Sequence, residues 1–209
     1  MLDPIYAIVD ADIAGRHGYT VPALARLYLD AGVRFLQIRA KQATGAELLA
    51  WADAVADAAA PHGATVIVND RFDIALMAGL AGVHVGQDDV APGRVRAAAG
   101  PRLWVGYSTH TREQVDAAVE LPLTYVAVGP VFGTQTKATG YDAVGLDLVR
   151  YAAQRAAGRM PVVAIGGITL ERAASVLDAG AASVAVITDL LAGDGPGERV
   201  RQYRDVLKR

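Results

Sequence analysis

Residues 161–187 read PVVAIGGITLERAASVLDAGAASVAVI, and they decide the fold. Residues 161–165 are a continuous apolar run rich in β-branched side chains. The run is too short for a helix and too uniformly apolar for a half-exposed hairpin strand. It reads as a strand buried on both faces, as in a parallel sheet. Gly166 and Gly167 end it. Residues 170–179 are predicted helical, and Gly180 stands just past their end as a stop signal. Residues 183–187 form a second apolar run of the same kind, so the whole stretch is one strand–helix–strand unit.

The same alternation extends toward the N-terminus. Further apolar runs occupy residues 5–9, 34–38, 65–68, 82–85, 102–107 and 123–128. Helices are predicted over 21–31, 45–61, 73–80, 92–99, 112–119 and 146–157, with a last one over 197–208. In the second of these, Leu48, Leu49, Ala52, Val55, Ala56 and Ala59 recur at helical spacing, with Glu47, Asp53 and Asp57 among the polar positions. Thr111 fits an N-cap with Glu113 and Gln114 behind it. Eight strand–helix units in 209 residues average about 26 residues each, which fits a compact (β/α)8 TIM barrel of the α/β class. The rival is an open doubly wound sheet, which the same alternation permits. Neither a linker nor a low-complexity segment divides the chain, so residues 1–209 are expected to form a single TIM-barrel domain.

Composition narrows the functions open to such a domain. The chain is 53% hydrophobic and 20% charged, which excludes a disordered polymer. A domain of this size buries roughly 70% of its unfolded surface and needs no staples. There is no cysteine, so disulfides, thiolate metal sites and cysteine nucleophiles are excluded. Twenty basic residues against 22 acidic ones give a net charge of -2, which is not the footprint of a nucleic-acid binder. No apolar run reaches the ~18 residues of a membrane span, and Met1-Leu2-Asp3-Pro4 does not open a signal peptide. A cytoplasmic protein acting on small molecules is expected, with self-association into a homo-oligomer left open.

In a barrel, function collects just after each strand. Those positions hold Gln37, Arg39 and Lys41 after the second strand, and Asn69, Asp70 and Arg71 after the third. Gln87, Asp88 and Asp89 follow the fourth, and Ser108 and His110 the fifth. The segment from Gly129 to Lys137 follows the sixth, Gly166-Gly167 the seventh, and Thr188 and Asp189 the eighth. The opposite turns, such as Ala31-Gly32, Ala81-Gly82 and Leu121-Pro122, are poor in charge, and that contrast favours one shared site. Two glycines let the backbone approach a ligand closely, and the helix start behind them offers N–H groups to a phosphate. Residues 188–193 are expected to form one helical turn.

Asp70 and Asp89 follow adjacent strands, so their carboxylates can converge on Mg2+, which bridges one or two carboxylates to substrate phosphates. The alternative is that each caps a helix or pairs with Arg71 or Lys41. Asp88 is a rival ligand, whereas the four histidines show no i, i+4 pairing. Arg39, Lys41 and Lys137 add three positive charges, and Mg2+ with two aspartates adds none. A diphosphate of roughly -3 matches that total.

The motifs Gln37-Ile38-Arg39-Ala40-Lys41, Asn69-Asp70-Arg71, residues 83–89, residues 106–110, Gly129-Pro130-Val131-Phe132 with Thr134-Gln135-Thr136-Lys137, and residues 164–168 occur in this order along the chain. In these the chain resembles the thiamine phosphate synthase family, over nearly its whole length. The resemblance implies transfer of a hydroxymethylpyrimidine from its diphosphate to a thiazole phosphate. It implies that Gln37, Ile38, Arg39, Ala40, Lys41, Asn69, Ser108 and Lys137 hold the pyrimidine diphosphate, with Arg39, Lys41, Ser108 and Lys137 as the catalytic groups. Asp70 and Asp89 would then hold Mg2+. Thr134, Gln135, Thr136, Gly167, Ile187 and Thr188 would hold the thiazole phosphate. The family usually has Ser at the place of Thr188, and often Pro before Thr134, where this chain has Gly133. A thiazole tautomerase using His110, another phosphate-binding barrel isomerase, and a non-catalytic phosphate-ligand sensor remain as alternatives.

Overall fold

The computed structural model describes residues 2–133 and 142–208. Eight parallel strands close a barrel in chain order: β1 (Ile5–Asp10), β2 (Phe35–Arg39), β3 (Thr65–Asn69), β4 (Gly82–Val85), β5 (Trp104–Thr109), β6 (Tyr125–Val128), β7 (Val162–Ile165) and β8 (Ser183–Val186). The open doubly wound sheet is thereby ruled out. Pairing of β1 with β8, with Ile5 opposite Val184 and Ala7 opposite Val186, leaves no free edge.

Helices α1 (Ala11–Arg16), α2 (Val21–Asp30), α3 (Gly45–Ala59), α4 (Phe72–Met77), α5 (Pro92–Ala99), α6 (Arg112–Ala118), α7 (Gly145–Ala156), α8 (Leu170–Asp178) and α9 (Pro196–Leu207) surround it. Their starts are set chemically. The hydroxyls of Thr20, Thr44 and Thr111 accept from Ala23, Glu47 and Gln114 N–H groups, and the Asp10 carboxylate accepts from Ile13. Thr111 is thus the cap expected from the sequence. Glu47 returns the bond to the Thr44 backbone, completing a capping box. Helix α1 was not expected. The turn expected after β8 is a 3-10 helix, Thr188–Leu191.

Side chains alternate across each strand and so build two apolar layers. On β1, Ile5, Ala7 and Val9 face the helices, whereas Tyr6 and Ile8 point into the barrel. The outer layer holds most of the fully buried residues, each worth roughly 1.5–3 kcal/mol where a large aliphatic side chain leaves water. The inner layer is dominated by rings. Tyr6 and Phe35 stack with centroids 3.8 Å apart, and Tyr125 meets both edge-on. Glycine makes room for them: a Cβ on Gly82 would lie 2.5 Å from that of Trp104. The aromatic plug fills the lower barrel, and the pocket above it opens toward the C-terminal ends of the strands. Among the described residues no helix is long and apolar enough to cross a membrane.

Candidate active site

The pocket at that end encloses roughly 840 Å³, counting its open mouth. Its lining comes from seven strands or their following loops. Tyr6, Gln37, His84 and Ser108 form its polar wall. Ala127, Val163, Ile165 and Ala185 form its apolar wall, and Gly166, Gly167, Ile187 and Thr188 its far side. Of the substrate contacts expected from the sequence, Gln37, Ser108, Gly167, Ile187 and Thr188 meet here, and the strand-end residues His110, Gly166 and Asp189 line the same pocket.

The polar wall is one continuous hydrogen-bonded chain. Gln37 Nε2 donates to the Tyr6 hydroxyl. That hydroxyl lies 3.0 Å from the hydroxyl of Tyr125, which lies 2.9 Å from His84 Nδ1. His84 Nε2 is 2.8 Å from Ser108 Oγ. Burial pushes both phenols far above their ordinary range, so each stays neutral and keeps one hydrogen to donate. Gln87 Nε2 donates to the Ser108 carbonyl at 2.6 Å and ties the ends of β4 and β5 together. Gln37 is 1% exposed, yet its Oε1 is a buried acceptor with no hydrogen-bond partner. Such an atom costs free energy unless something meets it. Tyr6 and Tyr125 were not picked out from the sequence, because tyrosines inside apolar runs read as core.

The rim over β1 to β4 carries the charges. Arg39 pairs with Asp10, a buried carboxylate that also caps α1. Asp10 was absent from the charge count above and takes one unit off it. Lys41 Nζ pairs with Asp70 Oδ2, and Asp89 lies near enough to act on the Asp70 carboxyl. Asp70 has φ +62°, a left-handed conformation that aspartate tolerates better than most residues. Its N–H is held by the His84 carbonyl at 2.8 Å. Asp89 Oδ2 accepts from Gly86 N–H at 2.7 Å. Local turns thus aim both carboxylates at one point. Burial first, and the neighbouring Asp89 besides, raise the Asp70 carboxyl above its usual range against the pull of Lys41. Arg71 turns away to a two-bond pair with Asp73.

Asn69 ends β3 on the inward face that it shares with Ile67, in register with His84. Ile38 and Ala40 differ from the expectation. Ile38 is buried in the outer layer and Ala40 packs against it, so neither side chain faces the pocket and only their backbone is left for a ligand. Thr134, Gln135, Thr136 and Lys137 lie outside the described residues.

On the far side, Gly166 and Gly167 have φ +102° and +61°. A Cβ on Gly167 would lie 2.6 Å from the Gly133 carbonyl oxygen, so a side chain there has no room. The start of α8 is less open than expected. Asp189 Oδ2 accepts from Leu170 N–H at 3.2 Å, from Arg199 Nη2 at 2.8 Å and from the Tyr203 hydroxyl at 2.7 Å. One helix N–H is thus already taken by a carboxylate. An anion there is left with the glycine backbone and the turn at Thr188. His110 lines the pocket with Nδ1 against the Gly129 carbonyl, at 2.5 Å.

Among the described residues, no three acidic or histidine side chains converge as a metal site would require if all its ligands came from protein. The Asp70–Asp89 pair still fits Mg2+, which keeps waters and takes substrate oxygens for its other ligands. Two neighbouring carboxylates repel unless a proton or a cation lies between them.

Comparison with known proteins completes the description. The family described as thiamine monophosphate synthase matches residues 5–190. A thiamine-phosphate synthase of Koribacter versatilis is 44% identical over 208 residues, covering 99% of this chain and 96% of that one. One from Albidiferax ferrireducens is 38% identical, covering 97% and 92%. Among solved structures, a thiamine phosphate pyrophosphorylase from Pyrococcus furiosus superposes with a TM-score of 0.86 at 27% identity, covering 97% of this chain and 94% of that one.

Proposed function

This chain belongs to the thiamine monophosphate synthase family, and we propose that it condenses 4-amino-2-methyl-5-hydroxymethylpyrimidine diphosphate with a thiazole ethyl phosphate. The products are thiamine phosphate and diphosphate. The observation that carries the reading is the orphaned, buried Gln37 Oε1 in a pocket that also has Ser108, with two convergent carboxylates on the rim. The acceptor suits the exocyclic amine of an aminopyrimidine, and the rim suits its diphosphate.

In the reaction the methylene C–O bond to diphosphate breaks and a C–N bond to the thiazole nitrogen forms. The electron pair of the broken bond leaves with diphosphate. The thiazole nitrogen supplies the new pair and becomes cationic, so no proton need move. No side-chain nucleophile or acid–base couple is required. Gln37 and Ser108 orient the ring, whose amino group delocalises positive charge from the methylene. Arg39 keeps donors beyond its bond to Asp10, and with Lys41 it offers positive charge where the leaving oxygens become more negative. Lys137 is assigned to the same task. Mg2+, held by Asp70 and Asp89, would neutralise the two carboxylates and stabilise charge on the diphosphate oxygens. The backbone at Gly167 and at Ile187-Thr188, with Thr134 to Thr136, anchors the thiazole phosphate, and that anchoring brings its nitrogen to the methylene. A cytoplasmic location and small-molecule substrates go with this proposal.

The test is formation of thiamine phosphate from the two substrates with Mg2+, in wild type, Lys137→Ala and His110→Ala. Loss of one donor to developing charge costs about 100- to 1,000-fold in turnover, so the lysine change is expected to be the more severe. A protein that makes no thiamine phosphate, but isomerises a thiazole phosphate in a His110-dependent way, overturns the reading in favour of a tautomerase.

A further inference from the structure

The chain Gln37–Tyr6–Tyr125–His84–Ser108 has a direction, and the direction follows from counting hydrogens. Gln37 Nε2 donates to the Tyr6 hydroxyl. Tyr6 has one hydrogen, and its hydroxyl has Tyr125 as its other partner, so Tyr6 donates to Tyr125. Tyr125 likewise spends its hydrogen on His84 Nδ1. His84 therefore accepts at Nδ1 and carries its hydrogen on Nε2, which donates to Ser108 Oγ. Ser108 is left with its own hydrogen to give. The reversed arrangement turns the Gln37 amide over and buries its NH2 group, two donors, where one acceptor now lies. Orphaned buried N–H groups are rarer than under-satisfied carbonyl oxygens, which favours the direction given.

We infer that Tyr6, Tyr125 and His84 are positioning residues that fix the polarity of the pocket, so that Gln37 Oε1 presents an acceptor and Ser108 Oγ a donor to one ring. This rests on the proposed function and deepens it by naming the feature of the substrate that is read. A 4-aminopyrimidine matches, because its amine is a donor and the ring nitrogen beside it is an acceptor. A 4-oxopyrimidine is its inverse, with an acceptor oxygen beside an N–H donor. Three groups that touch no reacting atom thereby exclude a ring of the same size, the same charge and almost the same shape. A buried polar group left unmet by the wrong ligand is the physical source of such discrimination.

The experiment is calorimetric titration of the aminopyrimidine diphosphate and its 4-oxo counterpart, with Mg2+, into wild type, Tyr125→Phe and Tyr6→Phe. Inorganic diphosphate is titrated alongside to report on the rim. Wild type is expected to favour the amino compound by about 100-fold or more. Either phenylalanine variant breaks the chain, frees the Gln37 amide to turn over, and is expected to cut that preference to less than about tenfold while diphosphate affinity is retained. A merely structural role for the tyrosines would weaken both pyrimidines equally. An unchanged preference in both variants, or an equal loss for both pyrimidines, overturns the inference. Two variants are used so that failure of one to fold leaves the other to decide. Failure of wild type to make thiamine phosphate while it still prefers the amino ring counts against the proposed reaction and not against the polarity.

Discussion

Gly106 and Tyr125 compete for one volume: a Cβ on Gly106 would lie 2.0 Å from Cζ of Tyr125 and 2.3 Å from its hydroxyl oxygen. The two stand in register on neighbouring strands. Tyr125 is fully buried and boxed in by Tyr6 and Phe35, so it cannot retreat cheaply. Gly106→Ala is therefore expected to destabilise the protein by about 1–3 kcal/mol, the usual cost of overpacking. It should also shift the Tyr125 hydroxyl away from His84 and lower kcat/KM for the pyrimidine substrate. Denaturant unfolding and steady-state kinetics on the same preparation check both effects.

Asp70 is expected to trade stability for cation binding. Its carboxyl is raised mainly by burial, so its ionisation costs the fold. The contribution of this group is most favourable below its unfolded value and is lost as pH rises through the raised folded value. Asp70→Asn keeps a residue tolerant of the left-handed backbone and removes the charge. Without divalent cations the variant should be at least as stable as wild type at neutral pH and should show less loss of stability between acid and neutral pH. Added Mg2+ should raise the Tm of wild type and not that of the variant. A calorimetric Tm series against pH, with and without Mg2+, measures this.

Gly167→Val puts a branched side chain where the Gly133 carbonyl and Phe132 leave none, at a φ that suits glycine. It is expected to weaken thiazole phosphate binding at least tenfold and to leave pyrimidine diphosphate binding within about twofold. Separate titrations of the two ligands distinguish this from general misfolding, which would affect both.

Asp189→Ala leaves Arg199, Tyr203 and the first N–H of α8 without their shared acceptor. A loss of about 2–3 kcal/mol is expected from charge-assisted bonds of this kind. The KM for the thiazole phosphate should rise more than that for the pyrimidine, because Thr188 is its direct neighbour. Thermal unfolding and the two KM values check it.

The barrel could be read from the sequence because each strand is apolar on both faces and each helix on one. What blurred was where the strands stop. β1, β2, β3 and β5 run on through Asp10, Arg39, Asn69 and Thr109, one or two residues past the end of each apolar run. There the backbone ladder continues while the side chains turn polar to line the site, and hydropathy sees only the side chains. The six residues of α1 were too few to show a period. Residue types at strand ends pointed to Gln37 and Ser108, which line the pocket, and to Asp70 and Asp89, which follow β3 and β4. They could not give Tyr6 and Tyr125, whose rings belong to the core and whose hydroxyls belong to the site. Nor could they give the Asp10–Arg39 pair, which depends on β1 lying beside β2. Ile38 and Ala40 were included because they lie between contact residues in the motif, but strand alternation turns Ile38 outward.

The seam between β1 and β8 joins residues separated by nearly the whole length of the chain, so it carries the largest loop-closure cost of any strand pair. Tyr6 stands on one side of that seam, opposite Ala185, and Ile187 and Thr188 follow directly on the other. A folding intermediate with seven strands paired and the seam open would therefore lack a complete site, however much native packing it held. Ligands bound across the seam favour only the closed species. Substrate should accordingly slow unfolding much more than it speeds folding, if seam pairing is late and largely absent from the folding transition state.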